Sequence, residues 1–429
     1  MSITAFDGEL SHRVRDLVRT GFAPRFGALR ATFGTNPVWQ RLAALGSELW
    51  FDSGDIDDIS KLWTREYAGL TTNNTLLNKE VQKGIYDDFL FDAAALLDKF
   101  PKLTPRERKL ELAFMVNARH ALRLVELFDA HVSVEEHTDL SNDVDGAVNY
   151  ARRYYAVCPE RFYVKIPFSA AGLLATRQAS LEAIPVNHTL GFSARQNYVI
   201  ARIGRPAFVN VFMGRLNSFV ADNKLGDGAY VGERATLASQ AAVRDLAAKH
   251  KATARQIGAS FREPQQVRDL AGIDVMTIPC KVAQQFLDLK IPPESLADKT
   301  GEHYEPSLAA GADAGAIGLD TLWEVEDKLV ACLDKLDAEG PSSFTADGLV
   351  KLFEGHGCGD VLVRWTDKEI RTSAKEGKIP RIEHWQKLLA ERKIGLDSLM
   401  NLAGWNSFAA DQKEMDDHIK AVLEGAKRR

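Results

Sequence analysis

Two hydrophobic rhythms alternate along the chain. Short runs rich in β-branched and aromatic residues read as eight strands: SELWFD (47–52), AGLTTN (68–73), AHVSVEE (130–136), RFYVKIP (161–167), PVNHTLGF (185–192), PAFVNVFMG (206–214), ATARQIGAS (252–260) and DVMTIP (274–279). Longer segments with apolar residues at helical spacing separate them, among them VDGAVNYARRYYAV, SAAGLLATRQASLEA, SARQNYVIARIG and LASQAAVRDLAAKHK. This alternation implies a parallel sheet covered by helices. Eight units predict an α/β fold that closes into a (β/α)8 barrel of the TIM type. The alternative is an open doubly wound sheet, but no G-x-G-x-x-G follows the first strand, so a dinucleotide fold lacks its phosphate loop.

Helical patterns flank the eight units. HRVRDLVRTGF and PVWQRLAALG predict an N-terminal helical segment over 1–45, ahead of a barrel over 46–292, and the connection 74–129 is mainly helical. After the eighth strand come only helices and loops, namely LDTLWEVEDKLVACLDKL, TADGLVKLFEGH, IEHWQKLLAERK and AADQKEMDDHIKAVLEGAKRR. They predict an enlarged C-terminal helical extension over 293–429, its last helix packed on the barrel. GPSSF at 340–344 is the linker candidate within it, but the break in composition is too slight to declare a second domain. No internal repeat is apparent.

Composition narrows the function classes. The 429 residues are 45% hydrophobic and 26% charged, the balance of an ordinary globular protein. Acidic side chains outnumber basic ones 59 to 54, and a formal charge of −5 argues against a nucleic-acid or anionic-lipid partner. Cys158, Cys280, Cys332 and Cys358 lack C-x-x-C spacing, so neither a disulfide framework nor a zinc site is indicated. The N-terminus has no apolar core of signal-peptide type, and no stretch approaches the roughly 18 apolar residues of a membrane span. A cytoplasmic protein is expected.

In a parallel barrel the C-terminal strand ends share one mouth, so reactive groups there are the candidates. They are Asp52, Glu135, Lys165, Asn187, Thr189, Asn210, Arg215, Ser260 and Arg262. Lys165 sits in YVKIPF, where a charged ammonium is costly to bury and the neutral, nucleophilic amine is favoured. Such an amine attacks a ketone to form a Schiff base, an electron sink for breaking a neighbouring carbon–carbon bond. The plainer reading is a snorkelling side chain or an ion-pair partner. Asp52 and Glu135 suit proton transfer, or they simply neutralise Lys165. Arg215, Ser260 and Arg262 suit a phosphate, or the arginines pair with nearby acids. His137 and His188 lack a second ligand at metal spacing and read as packing or hydrogen-bonding residues, so no metal is implied. Tyr154, Tyr155, Phe162, Tyr163 and Phe168 have no basic interleaving and read as core.

From about 47 to 280 the chain resembles the class I transaldolases. LWFDSGDI is similar to the family's first strand with its acid, TTNNT to its T-[ST]-N-P-[ST] turn, and VSVEE to the strand carrying its glutamate. YVKIPFSAAG is similar to the strand of the Schiff-base lysine, NHTLGFS to N-x-T-L-x-F-S, and FMGRL to F-V-G-R, while GASFR matches letter for letter. FAADQKEMDDHI resembles the final helix, which places an enlarged insertion within 290–400. The resemblance implies a ketose phosphate bound through Lys165, with Asp52 acting on the C4 hydroxyl and Glu135 with Thr189 holding the catalytic water. Phosphate would sit on Arg215, Ser260 and Arg262, and Asn73 and Asn187 would contact the bound fragment. Neither metal nor organic cofactor is implied. Related aldolases that release dihydroxyacetone carry glutamine in place of Glu135 and tyrosine in place of Phe212, so both residues here favour transfer. Two positions depart from the pattern: Asn74 replaces the turn proline, and Asn210 replaces a serine, which is expected to alter handling of the donor's C1 end.

Three hypotheses follow. The first is transfer of dihydroxyacetone between sedoheptulose 7-phosphate and glyceraldehyde 3-phosphate, in the pentose phosphate pathway. The second keeps the chemistry with a different donor, such as a sugar bearing another anion. The third is a non-catalytic barrel whose extension serves a partner. A homodimer is compatible with each.

Overall fold

Strands buried on both faces need near-continuous apolar sequence, and the runs LWF, VSV, VKIP and FVNVF meet that need. The computed structural model describes residues 3–250 and 253–426. At its centre β1 (Glu48–Asp52), β2 (Tyr67–Thr71), β3 (His131–Glu135), β4 (Phe162–Pro167), β5 (Val186–Thr189), β6 (Phe208–Phe212), β7 (Arg255–Ala259) and β8 (Val275–Ile278) close in sequential order into a barrel. All pairings are parallel, with β1 closing on β8. The predicted (β/α)8 barrel with added helices is therefore the fold. Residue 252, where the seventh predicted run begins, lies outside the described residues.

The period of two along each strand decides what enters the barrel. Register pairs Asp52 with Thr71, Glu135 with Lys165, Lys165 with Asn187, and Asn210 with Ile257. Two residues earlier on the same parity lie Trp50, Tyr163 and Phe208, which plug the barrel below the polar layer. The Trp50 ring stacks on Tyr163 at 5.7 Å and meets Phe208 edge-on at 5.0 Å. Gly69 faces this plug, where a Cβ would come within 2.7 Å of the Trp50 ring. The opposite parity, Leu49, Phe51, Val132, Val134, Val164, Ile166, Val209 and Val211, joins the main core under the helices.

Helix starts follow the sequence closely. Asp143, Ser169 and Ser193 each cap a helix with a side-chain oxygen, and the predicted VDGAVNYARRYYAV helix is Val144–Val157. Elsewhere tertiary contacts override pattern. LDTLWEVEDKLVACLDKL is broken into a 3-10 turn, Leu319–Leu322, and a helix, Asp327–Glu339. At the break Arg234 stacks 4.2 Å from the Trp323 ring and Glu326 lies 3.8 Å from Arg195. The run PAFVNVFMG turns helical at Met213, so Arg215 belongs to the first turn of the helix Met213–Asp222.

The 31-residue helix Leu396–Ala426 crosses the open end of the barrel. Its start is held by Arg195, which is buried and donates to both Asp397 oxygens at 2.8 Å and to Asp360 at 2.7 Å. Further along, Asn401 donates to the Leu190 carbonyl, Gln412 accepts from Asn74 at 2.6 Å, and Asp416 meets His137 at 3.1 Å. Among the described residues no helix is long and apolar enough to cross a membrane.

Candidate active site

Lys165 is the second-last inward residue of β4, and only 2% of it is exposed. Its ammonium donates to the Thr72 carbonyl at 3.2 Å and to Glu135 Oε2 at 3.4 Å. The Phe408 ring of the closing helix lies 5.7 Å from Nζ. Asp52 stands across the barrel on β1, within the field of Lys165, Arg215 and Lys79. Burial nonetheless dominates and pushes its carboxyl up from 3.8 to about 6, against the pull of those cations. Glu135 is also raised by burial, opposed by the charge and hydrogen bond of Lys165 and by the backbone N–H of Asn74.

That N–H gives the Asn74 departure a physical meaning. Asn74 is the first residue of the helix Asn74–Val81, capped by Asn73, whose side chain accepts from the Leu76 N–H. Proline is well suited to this helical position because the N–H there has no intrahelical partner. Here the N–H has one in Glu135, and the Asn74 side chain bonds Gln412 on the closing helix.

Three amide and hydroxyl groups line the wall beside Lys165. Asn187 donates to Ser133 Oγ at 2.9 Å, and its own oxygen accepts from Asn210 at 3.2 Å. Asn210 also donates to the His188 carbonyl at 3.0 Å. Its Oδ1 and the Thr189 hydroxyl are buried without a protein partner, and buried polar atoms of this kind call for an explanation.

Arg215 lies between two aromatic faces, 5.3 Å from the Phe212 ring and 5.3 Å from that of Phe408. Phe212 in turn stacks on Phe192 at 5.5 Å. One Arg215 nitrogen is buried with no hydrogen-bond partner, and burial together with Arg262 pushes the guanidinium down to about 10. Ser260 takes a left-handed φ of 64° at the end of β7, followed by the exposed Arg262. Gly214 permits this approach, since a Cβ there would meet the Ser260 carbonyl at 2.0 Å. All eleven residues singled out from the sequence thus lie at the same end of the barrel. His188 is buried, bonds Thr176 at 2.8 Å, and is held neutral by burial, its pKa lowered to about 3. Among the described residues no three His, Cys, Asp or Glu gather as metal ligands.

Sequence reading missed the groups that arrive from outside the strands. Phe408, Asp411 and Gln412 come from the closing helix, where Phe408 and Gln412 stand four residues apart on one face. Phe408 opens the stretch FAADQKEMDDHI, whose resemblance to the family's final helix was the available signal.

Comparison with known proteins identifies the family. The model of the family described as transaldolase/fructose-6-phosphate aldolase matches residues 49–348. A transaldolase of Xanthomonas campestris pv. campestris is 30% identical over 234 residues, 53% of this chain and 71% of the relative. A probable transaldolase of Dictyostelium discoideum is 26% identical over 308 residues, covering 70% and 92% respectively. Transaldolase 1 of Pectobacterium atrosepticum is 26% identical over 303 residues, covering 69% and 92%.

Proposed function

Since the chain belongs to the transaldolase/fructose-6-phosphate aldolase family, we propose that it transfers a dihydroxyacetone unit from a ketose phosphate, sedoheptulose 7-phosphate or fructose 6-phosphate, to an aldose phosphate. The observation that carries the proposal is the Lys165 ammonium 3.4 Å from Glu135 in a closed polar layer above an aromatic plug.

Lys165 gives up a proton to Glu135, 3.4 Å away, and attacks the C2 carbonyl as a neutral amine. Glu135 and a water held with the Thr189 hydroxyl carry the protons that convert the carbinolamine to an iminium and release the C2 oxygen as water. Asp52 takes the proton from the C4 hydroxyl. The C3–C4 bond breaks, its electrons pass to the iminium to give an enamine, and C4 leaves as the aldehyde of the shorter aldose phosphate. Addition of the enamine to an incoming aldose phosphate runs the sequence in reverse. Asn73, Asn187 and Asn210 hold the hydroxyls of the retained fragment, and Arg215, Ser260 and Arg262 hold the terminal phosphate. Glu135 and Phe212, in place of the glutamine and tyrosine of the dihydroxyacetone-releasing aldolases, support transfer. The same reading treats the helices before residue 46 and after 292 as supports and covers for the barrel, without a role for a metal or organic cofactor.

Borohydride reduction in the presence of fructose 6-phosphate tests the proposal. Expected is a dihydroxyacetone-derived mass on Lys165, absent from Lys165→Ala. An unmodified Lys165, or transfer by Lys165→Ala, would sink the Schiff-base reading.

A further inference from the structure

The paired rungs of β5 and β6 end at His188 opposite Val209, and β5 leaves the sheet at Leu190, which takes a left-handed φ of 63°. Above that last rung, amide side chains join the two strands to each other and to the helices outside. Asn210 Nδ2 donates to Asn187 Oδ1 at 3.2 Å and to the His188 carbonyl at 3.0 Å, which uses both of its hydrogens. Asn197, on the outer helix Ala194–Ile203, donates through Nδ2 to the backbone carbonyl of Asn210 at 3.0 Å.

Asn197 is itself held from two further elements. Its Nδ2 lies 2.8 Å from Ser239 Oγ, on the helix Val231–His250, and 3.4 Å from Gln256 Oε1 of β7. Ser239 donates to the same Gln256 oxygen at 2.5 Å, and Gln256 Nε2 donates to the carbonyl of Ile257, the residue opposite Asn210 in register. Three acceptors around one amide nitrogen fix which way Asn197 points, since the reversed amide would set oxygen against oxygen. Gly191 closes the space above, where a Cβ would come within 2.4 Å of Asn197 Oδ1 and 2.7 Å of the Asn210 carbonyl. Asn197, Ser239 and Gln256 are fully buried between helices and barrel. An apolar side chain fills such a seam at less cost than an amide, so the amide here calls for a purpose beyond packing.

That purpose follows from what Asn210 has left. With both hydrogens spent in the wall, its only free function is Oδ1, which is buried without a protein partner. A substrate hydroxyl satisfies this oxygen, whereas a methyl group in the same place leaves it unpaired. We propose that Asn197 is a positioning residue that acts through Asn210: it fixes the β6 carbonyl so that Asn210 presents a lone acceptor, and the site thereby selects a donor sugar with a hydroxyl on C1. This rests on the reading that Asn210 holds a hydroxyl of the retained fragment.

Fructose 6-phosphate and its 1-deoxy analogue differ only in the C1 hydroxyl, so the ratio of their kcat/KM values on the full chain, with borohydride trapping of Lys165 alongside, tests the proposal. The parent is expected to favour the hydroxylated sugar about tenfold or more, and Asn197→Leu, which keeps the volume and removes the donor, to lower that ratio about threefold or more. Asn197→Ala is read in the same way where the leucine variant does not fold. Asn210→Ala is expected to lose most of the preference, and Asn197→Leu added to it to change the ratio no further, because the one residue acts through the other. An equal loss of activity on both sugars, as a purely structural fault would give, overturns the positioning role, and so does a further fall of the ratio in the double variant. Full preference retained by Asn210→Ala overturns the proposal whatever the Asn197 variants do. Failure of the parent to trap either sugar on Lys165 overturns instead the Schiff-base reading beneath it.

Discussion

Asp52 shows how one side chain can weaken the fold while preparing for chemistry. Its folded pKa of about 6 lies above the ordinary 3.8. Between those values the folded chain retains a proton that the unfolded chain has released, so stability falls as pH rises from about 4 to about 6 and stays lower above it. The shift corresponds to about 3 kcal/mol. Asp52→Asn is expected to be more stable than the parent above pH 6, with the difference shrinking towards pH 4, as read from urea midpoints across that range. A difference that does not change with pH would remove Asp52 as its source. The same variant is expected to lose roughly a hundredfold or more in kcat. In the parent, kcat/KM should rise through an acid limb near pH 6 as the carboxylate forms.

At the scale of elements, the helix Asn74–Val81 gives the clearest separation of backbone from side chain. Asn74→Pro keeps a residue suited to the first helical turn but removes the N–H that reaches Glu135. With that donor lost the pKa of Glu135 should rise further, so kcat is expected to fall about tenfold at or below neutral pH and less at higher pH. Asn74→Ala retains the N–H and serves as the control. Equal losses in the two variants would shift the importance to the side-chain bond with Gln412. Strands and several helices were legible in the sequence because their signals are local: β-rich runs ended on Asp52, Glu135 and Lys165, and apolar residues at helical spacing marked the helix Val144–Val157. The role of Asn74 was not, since its partners are 61 residues away at Glu135 and 338 away at Gln412 in sequence. The boundary at Met213 was hidden for another reason. FVNVFMG is apolar throughout, and periodicity alone does not separate a buried strand from the buried first turn of a helix.

Over the whole molecule, the barrel and the segment after it are joined by buried charge. Arg195 bridges Asp397 and Asp360, and Ser193 adds a 2.6 Å bond to Asp397. Arg195→Ala would leave two buried carboxylates without their cation, and the expected loss is about 3–5 kcal/mol in urea unfolding. Activity should fall with it, because Asp397 lies one turn before Asn401, and Phe408 follows on the same helix. A loss under about 1 kcal/mol would show that the helix is held by its other contacts. The long-range nature of this bridge also explains what sequence reading left out. Strand-end motifs disclosed the wall of the site, whereas its cover, with Phe408 and Asp411, is brought in by contacts between segments hundreds of residues apart.

Chain order gives the closing helix a further consequence. All eight strands, with Lys165, Asp52 and Glu135 among them, precede residue 279, whereas the helix that covers them begins at Leu396. During synthesis the wall of the site can assemble well before its cover leaves the ribosome, and through that interval the lysine proposed to form the Schiff base stands in an open, wet cup. Reactivity would therefore mature late, when the final helix arrives, which limits how long a half-made chain can react with the free sugars around it.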